Sequence, residues 1–463
     1  MRKLVLILVV LSALGYSYAV PLSLADCRRM ALQSAESISI AELNCNSSAA
    51  LKKATFTAFL PSLNALGSYM HSGKEIEYKE DLNLQQLLGG MAQANPAVTS
   101  DPFYQTLVAL YQQGLISDEI DLKIGDRDNW VLGVELVQPI FTGGKILQQY
   151  KIAKCSEALT KEMLQREKSE LLLKVDEAYW RVISLQQKVK LADSYLSLVQ
   201  KHVEDLNNAY AEGIVTQNEL LKAQVKLGEA KLSTLQAGNG YKLALMALNQ
   251  VIGLEPDTST ELVPQQEDDV ECPAVSLDTV LETRPDYQML KRQKDINQSL
   301  HKIAISKYYP NIVFQGSAHS LKPNIYNSME DEFGSSWQIG ILAQMELFHF
   351  GERMQEARVT RNNVKISELK LQEAKELINL QISSFRNQFT EAEAKLEIAE
   401  NSLEQAEENL RVCQSRFDEG MLRSSDLLEA QSLWQKSYSD KIDARMELNT
   451  KHSQYLKAID ALQ

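Results

Sequence analysis

Proline is scarce, at 11 in 463 residues, and none falls between Pro139 and Pro256. A proline inside a helix removes a hydrogen bond and clashes with the preceding turn, so this interval is open to very long helix. Glycine is sparse as well, at 20 residues, and the two together fit a helix-rich chain. Positive charge is in deficit. A net charge of −13 argues against nucleic acid as a partner and against a polybasic membrane-surface role. Cys27, Cys45, Cys155, Cys272 and Cys413 show no CxxC and no zinc spacing, and their odd number leaves at least one thiol unpaired within the chain. The six histidines are scattered without an HxxxH pair. Gly143-Gly144-Lys145 lacks the upstream glycine of a phosphate loop, since Pro139 stands there, and reads as a strand-to-helix turn. Gly238 and Gly240 form only an isolated GxG. These absences leave no catalytic site, no metal site and no cofactor site, so the chain reads as a non-enzyme.

Long apolar runs are missing beyond the start. Residues 1–19 read as a signal peptide: basic Arg2 and Lys3, an apolar run from Leu4 to Leu14, and a small-residue cleavage site at Ser17-Tyr18-Ala19. No Cys follows that cut, so no lipid anchor is expected. No later stretch approaches 18 apolar residues, which excludes a transmembrane helix.

What the chain does contain is a heptad seam. Leu171, Val175, Ala178, Val182, Leu185, Val189, Ala192, Leu196, Val199, Val203, Leu206 and Tyr210 follow one another in alternating steps of four and three. That period imposes a left-handed supercoil on packed helices. A helix from about Lys145 to Glu212 would be roughly 100 Å long. Gly213 marks its stop, and Thr216 or Asn218 would cap a returning helix. Adding 207 to each number gives Ile378, Ile382, Phe385, Phe389, Ala392, Leu396, Ala399, Leu403, Ala406, Leu410, Cys413 and Phe417, all apolar. Gly213 maps onto Gly420, and Trp130, Gly133, Phe141 and Gly144 map onto Trp337, Gly340, Phe348 and Gly351. The chain is an internal duplication. Residues 20–254 form a first repeat, 255–276 a linker and 277–463 a second repeat. Ser23 to Thr57 reads as helix with a break near Ser34–Ser37.

Four segments alternate with period two. Trp130, Leu132, Val134 and Leu136 face one way, as do Trp337, Ile339, Ile341, Ala343 and Met345; the segments near Leu63–Met70 and Asn311–His319 are shorter. Apolar-out, polar-in strands led by an aromatic fit a transmembrane β-barrel, while the same alternation fits a half-buried strand of a soluble sheet. Barrel strands cannot leave an edge against lipid, and membrane barrels need at least eight strands. Four strands per chain therefore require an oligomer. Matching landmarks shift from an offset of 249 to one of 207 between Tyr69 and Asn129, so the first repeat's connection is 42 residues longer than the second's, with an insertion at about 73–128. Asp101-Pro102 starts a helix there, and Leu82, Leu84, Leu87 and Leu88 form a second apolar group. The insertion reads either as a folded cap or as a mobile loop.

Phe59-Leu60-Pro61-Ser62-Leu63, Gln138-Pro139-Ile140-Phe141-Thr142-Gly143-Gly144, Tyr210-Ala211-Glu212-Gly213, Arg284-Pro285-Asp286 and Phe417-Asp418-Glu419-Gly420 occur in that order. With the repeat and the strands, they resemble the TolC family of outer-membrane efflux factors from about Ser23 to Leu462, except the insertion. The resemblance implies a mainly α fold with a small β part: duplicated β-hairpins and long coiled-coil hairpins. It also implies a homotrimer whose twelve-stranded β-barrel sits in outer-membrane lipid and continues as a periplasmic α-barrel. It implies a passive exit duct of a tripartite efflux or type I secretion system, coupled to a periplasmic adaptor (membrane fusion) protein and an inner-membrane pump. Asp426 and Glu429 stand where the family rings its periplasmic entrance with acids. The tips Gly213, Ile214, Val215, Gly420, Met421 and Leu422 are candidate adaptor contacts. The family's latching arginine would align with Leu422 rather than Arg423, which leaves a Glu219–Arg423 latch open. A periplasmic coiled-coil adaptor or scaffold without a pore is the alternative, although such proteins carry one hairpin rather than a duplicated pair with amphipathic strands.

Overall fold

The structure, a computed structural model, describes residues 21–73, 76–81, 83–116, 119–125, 127–263, 272–327 and 330–462. The expected signal peptide, Leu82 and part of the expected linker lie outside the described residues. Two compact units are present: one comprises Lys53–Tyr150 with His301–Arg358, the other the remaining residues.

The helical unit is built on the duplication. Helix α1 (Leu24–Ser34) and helix α2 (Glu36–Phe56) are separated at Ala35, within the expected break. Helix α5 spans Lys145–Ala211 and α9 spans Glu352–Asp418, each 67 residues long and offset by 207 at both ends. The returning helices are α6 (Gln217–Ile252) and α10 (Ser424–Ala458), whose starts keep the same offset. Helix α7 (Leu277–Thr283) precedes α8 (Pro285–Ser306). Such lengths are stable because a seam, not local propensity, holds them. Eleven of the twelve seam positions on α5 are buried or half-buried; Tyr210, the last, is exposed. On α9 none of the twelve is exposed, and Cys413 is half-buried rather than enclosed.

Helix α5 differs from α9 in burying a second stripe. Leu172, Asp176, Tyr179, Leu191, Tyr195 and His202 lie off the seam and are also buried. Asp176 takes Arg28 of α1 bidentately, with Nε–Oδ1 at 2.8 Å and Nη2–Oδ2 at 2.6 Å. Tyr179 donates to the Val263 carbonyl at 2.7 Å. Lower on α5, Lys188 pairs with Asp443 at 2.7 Å and Tyr195 meets Ser432 at 3.3 Å, so α5 and α10 run side by side in opposite directions.

The other unit holds a four-stranded antiparallel sheet ordered β1-β4-β5-β6. Its strands are β1 (Ser62–His71), β4 (Asp128–Thr142), β5 (Asn311–Lys322) and β6 (Gly334–Gln344). At 10 residues β1 is the shortest of the four, as expected, whereas β5 at 12 residues is shorter than β4 at 15 but not than β6 at 11. The insertion is folded. Strands β2 (Ile76–Asp81) and β3 (Glu119–Gly125) pair as a separate two-stranded sheet. Between them lie helix α3 (Leu84–Ala94), which runs through Gly89-Gly90, and helix α4 (Pro102–Gln112). Asp101 caps α4 by accepting from the Phe103 N–H at 2.7 Å, as expected from Asp-Pro. Among the described residues, no helix is long and apolar enough to cross a membrane.

Candidate functional site

Register fixes the two faces of the sheet. Tyr69 pairs with Trp130, Gly67 with Leu132, Ala65 with Val134 and Leu63 with Leu136. Across β5 the same face continues through Ala318 opposite Trp337, Gly316 opposite Ile339 and Phe314 opposite Ile341. The opposite face carries Asn64, Ser68, Glu135, Gln315, Ser317, His319 and Gln338. Both faces are open, with Asn64, Ser68, Glu135 and Gln338 exposed as well, so packing is inverted relative to a soluble sheet in that the apolar face is left uncovered. Trp337, Ile339 and Ile341 are 72%, 67% and 68% exposed. Leaving such side chains in water costs about 1.5–3 kcal/mol each relative to burial, and lipid removes that cost. Strands of 10 to 15 residues span a bilayer core at the usual tilt. Strands β1 and β6 end the sheet order, so each presents a backbone edge with no partner in the sheet.

In the helical unit, both hairpin tips are built alike. Gly213 has φ +77° and Gly420 has φ +72°, a left-handed backbone that a side chain disfavours. Ile214 N–H donates to the Ala209 carbonyl at 2.9 Å and Gly213 N–H to Tyr210 at 3.0 Å. At the second tip Met421 donates to Arg416 at 2.8 Å and Gly420 to Phe417 at 2.9 Å. Each helix thus ends in the same paired C-terminal cap, which satisfies its last carbonyls. Thr216, not Asn218, caps α6: its hydroxyl accepts from Glu219 N–H while the Glu219 carboxylate accepts from Thr216 N–H, both at 3.4 Å. Helix α10 starts after Arg423 with no side-chain cap.

The candidate site residues separate on exposure. Ile214 and Met421 are 71% and 69% exposed, whereas Val215 and Leu422 are half-buried, Val215 against the tip core of Val199, Val203, Leu206, Leu220 and Leu428. Asp426 and Glu429 are both exposed on the first turns of α10. Asp426 accepts from the Ser425 hydroxyl at 3.0 Å, and as an acid in a first helical turn it suits the local dipole. Glu429 borders a groove of about 610 Å³ between α6 and α10, floored by Leu221, Val225 and Leu428 and flanked by Lys222 and Lys226. Glu219 is engaged in its own helix cap, and no ion pair joins it to Arg423 among the described residues. Sequence reading passed over His202. It is buried on the second stripe of α5, its Nε2 2.8 Å from Ser424 Oγ. The available signal was the row Leu191, Tyr195 and His202, each one position before a seam residue. Among the described residues, no His, Cys, Asp or Glu group is arranged to hold a metal ion.

The outer membrane efflux protein family model matches residues 28–254 and 276–459. The chain belongs to that family. It is an outer-membrane efflux channel, with a large helical periplasmic part. Members of this family are channels rather than enzymes. Among curated relatives, the alkaline protease secretion protein AprF of Pseudomonas aeruginosa is 22% identical over 332 residues, covering 70% of this chain and 68% of the relative. Among solved structures, the Campylobacter jejuni CmeC outer membrane channel superposes with a TM-score of 0.74 at 15% identity, covering 95% of this chain and 85% of that one. The outer membrane protein VceC of Vibrio cholerae gives 0.73 at 14% identity, covering 94% and 95%. This efflux channel therefore shares its fold with proteins of very different sequence.

Proposed function

We propose that the chain works as a homotrimer, a passive exit duct that meets a periplasmic adaptor at its hairpin tips and receives cargo from an inner-membrane pump. The carrying observation is the inverted four-stranded sheet with two unpaired edges. In lipid each unpaired backbone group costs several kcal/mol, so β1 of one copy must pair with β6 of the next. Four strands cannot close, and three copies supply twelve. Apolar side chains left open on α6 (Leu221, Val225, Leu235) and on α9 (Ile366, Leu369, Leu380) support the same association along the helices. An adaptor or scaffold without a pore has no use for a sheet that leaves its apolar face uncovered. The name of AprF supports a secretion route, and the family model supports efflux; both need the same duct.

Three copies of Asp426 and Glu429 form an acidic constriction in this reading, favouring cations at the periplasmic entrance. Planar-bilayer recordings test the duct and the ring together. Purified protein conducts, with cation selectivity; Asp426→Asn with Glu429→Gln keeps the shape, lowers that selectivity and weakens block by multivalent cations. Unchanged selectivity would put these carboxylates outside the pore.

A further inference from the structure

The internal repeat reaches into the sheet. Each of the ten pairs that join β1 to β4 recurs between β5 and β6 when 249 is added to the β1 number and 207 to the β4 number. The approaches to β1 and β5 match too: Leu60 N–H donates to the Thr57 carbonyl at 2.9 Å, and Tyr309 N–H to the Ser306 carbonyl at 3.1 Å. Pairing of β4 with β5 joins the two repeats and has no second instance within one chain. Its counterpart is β6 against β1 of the next copy. Carrying the β4–β5 register over places Ile341 opposite Tyr69 of the next copy, Gln344 opposite Leu66 and Glu346 opposite Asn64. Each of these pairs shares a face of the sheet. Ile140, which the β4–β5 ladder skips, corresponds to Leu347, so Phe348 falls opposite Leu63.

One position breaks the repeat. Gly143 has φ +61°, and a Cβ there would stand 2.6 Å from the Ser306 carbonyl oxygen and 2.9 Å from Tyr309 Cβ. Its counterpart is Phe350, at φ +40° and 92% exposed. Under the same register, Thr57 and Leu60 of the next copy take the places of Ser306 and Tyr309. A bulky side chain on left-handed backbone is disfavoured, and an aromatic ring left in water gains nothing to offset that. The ring lies edge-on to Phe348, itself well exposed, with centroids 5.0 Å apart. Phe56 and Leu60, on the facing turn, are half open as well.

We propose that Phe350 is a wedge between copies: with Phe348 it packs on the Thr57–Leu60 turn of the next copy, at the strand-to-helix end of the β6–β1 seam. There it holds apart a crossing that Gly143 lets close within the chain. The inference rests on the reading of a duct closed by β6–β1 pairing. It adds the register of that pairing and the side chain that fixes one end of it. A second copy, rather than lipid, is the occupant for two reasons. The first-repeat counterpart, Gly143, lies against chain at Ser306 and Tyr309. The exposed rings also continue the bare edge of β6, which lipid cannot satisfy.

The test uses the full-length protein in outer membranes, with the native chain, whose five cysteines are free, as the blank. On oxidation, Gln344→Cys combined with Leu66→Cys is expected to give disulfide-linked dimers and trimers. Gln344→Cys with Asn64→Cys or with Ser68→Cys is expected to give none, because a slip of two residues adds about 7 Å along the strand. Phe350→Cys with Leu60→Cys is expected to link as well, since a disulfide needs Cβ atoms about 3.5–4.5 Å apart. Phe350→Gly supplies an independent sign. For a ring in water or lipid, glycine at positive φ relieves the backbone, and the temperature that splits the oligomer in detergent holds or rises. For a wedge between copies, that temperature falls, and Phe350→Leu lies between glycine and the native chain. Links at a slipped register, or no links in a protein that is still an oligomer, overturn the register. An unchanged or higher splitting temperature for Phe350→Gly overturns the wedge and leaves the ring to lipid. A native protein that is monomeric in mild detergent removes the duct reading together with the proposal.

Discussion

Asp176 is fully buried, and its charge is met by Arg28, which remains partly open to solvent. The two are not equivalent when removed. Arg28→Ala strands an enclosed carboxylate, costing about 3 kcal/mol, at the low end for a broken buried pair. Asp176→Ala leaves an arginine that can turn outward, so its cost is smaller. Thermal melting followed by helical circular dichroism should place Arg28→Ala below Asp176→Ala, and the reverse order would refute the asymmetry. Gly420 offers a second residue-scale test. Open space surrounds it, so Gly420→Ala meets only its positive φ, at about 1–2 kcal/mol. Gly420→Pro fixes φ at the wrong sign and deletes the N–H that closes on Phe417. Export is expected to survive the alanine and fail with the proline while membrane assembly persists. Normal export with proline would separate the tips from docking.

At the scale of elements, the seam was fully legible because the helix period repeats for twelve positions without interruption. Helices α5 and α9 accordingly begin and end where the 207-residue offset requires. The second stripe on α5 was missed because polar side chains interrupt it: Asp176 and His202 break the apolar pattern of Leu172, Tyr179, Leu191 and Tyr195, and tertiary contacts are what bury them. In the insertion, Asp101-Pro102 announced α4, but strands β2 and β3 were overlooked although Ile120, Leu122 and Ile124 alternate. Leu88 is the buried residue of α3, while Leu87, Met91 and Phe103 stand exposed. Three exposed apolar groups on two short helices favour packing against other copies over the channel mouth. Deleting Lys74 to Lys123 is expected to raise single-channel conductance with the oligomer intact; unchanged conductance would mean that the insertion does not cover the pore.

For the whole molecule, the sheet decides more than the helices do. Long hairpins suit scaffolds as well as ducts, but an open apolar face bounded by two bare edges is stable only in lipid and only when closed by further copies. The sequence showed the alternation of Trp130 and Trp337 but not their register, since pairing of β4 with β5 joins strands from different repeats across the long helices. The most direct test is the mass of the particle that mild detergent extracts from outer membranes, measured by native mass spectrometry. Three chains per particle, lost to aggregation when detergent is withdrawn, is the expected result. A single chain that stays soluble without detergent would contradict it.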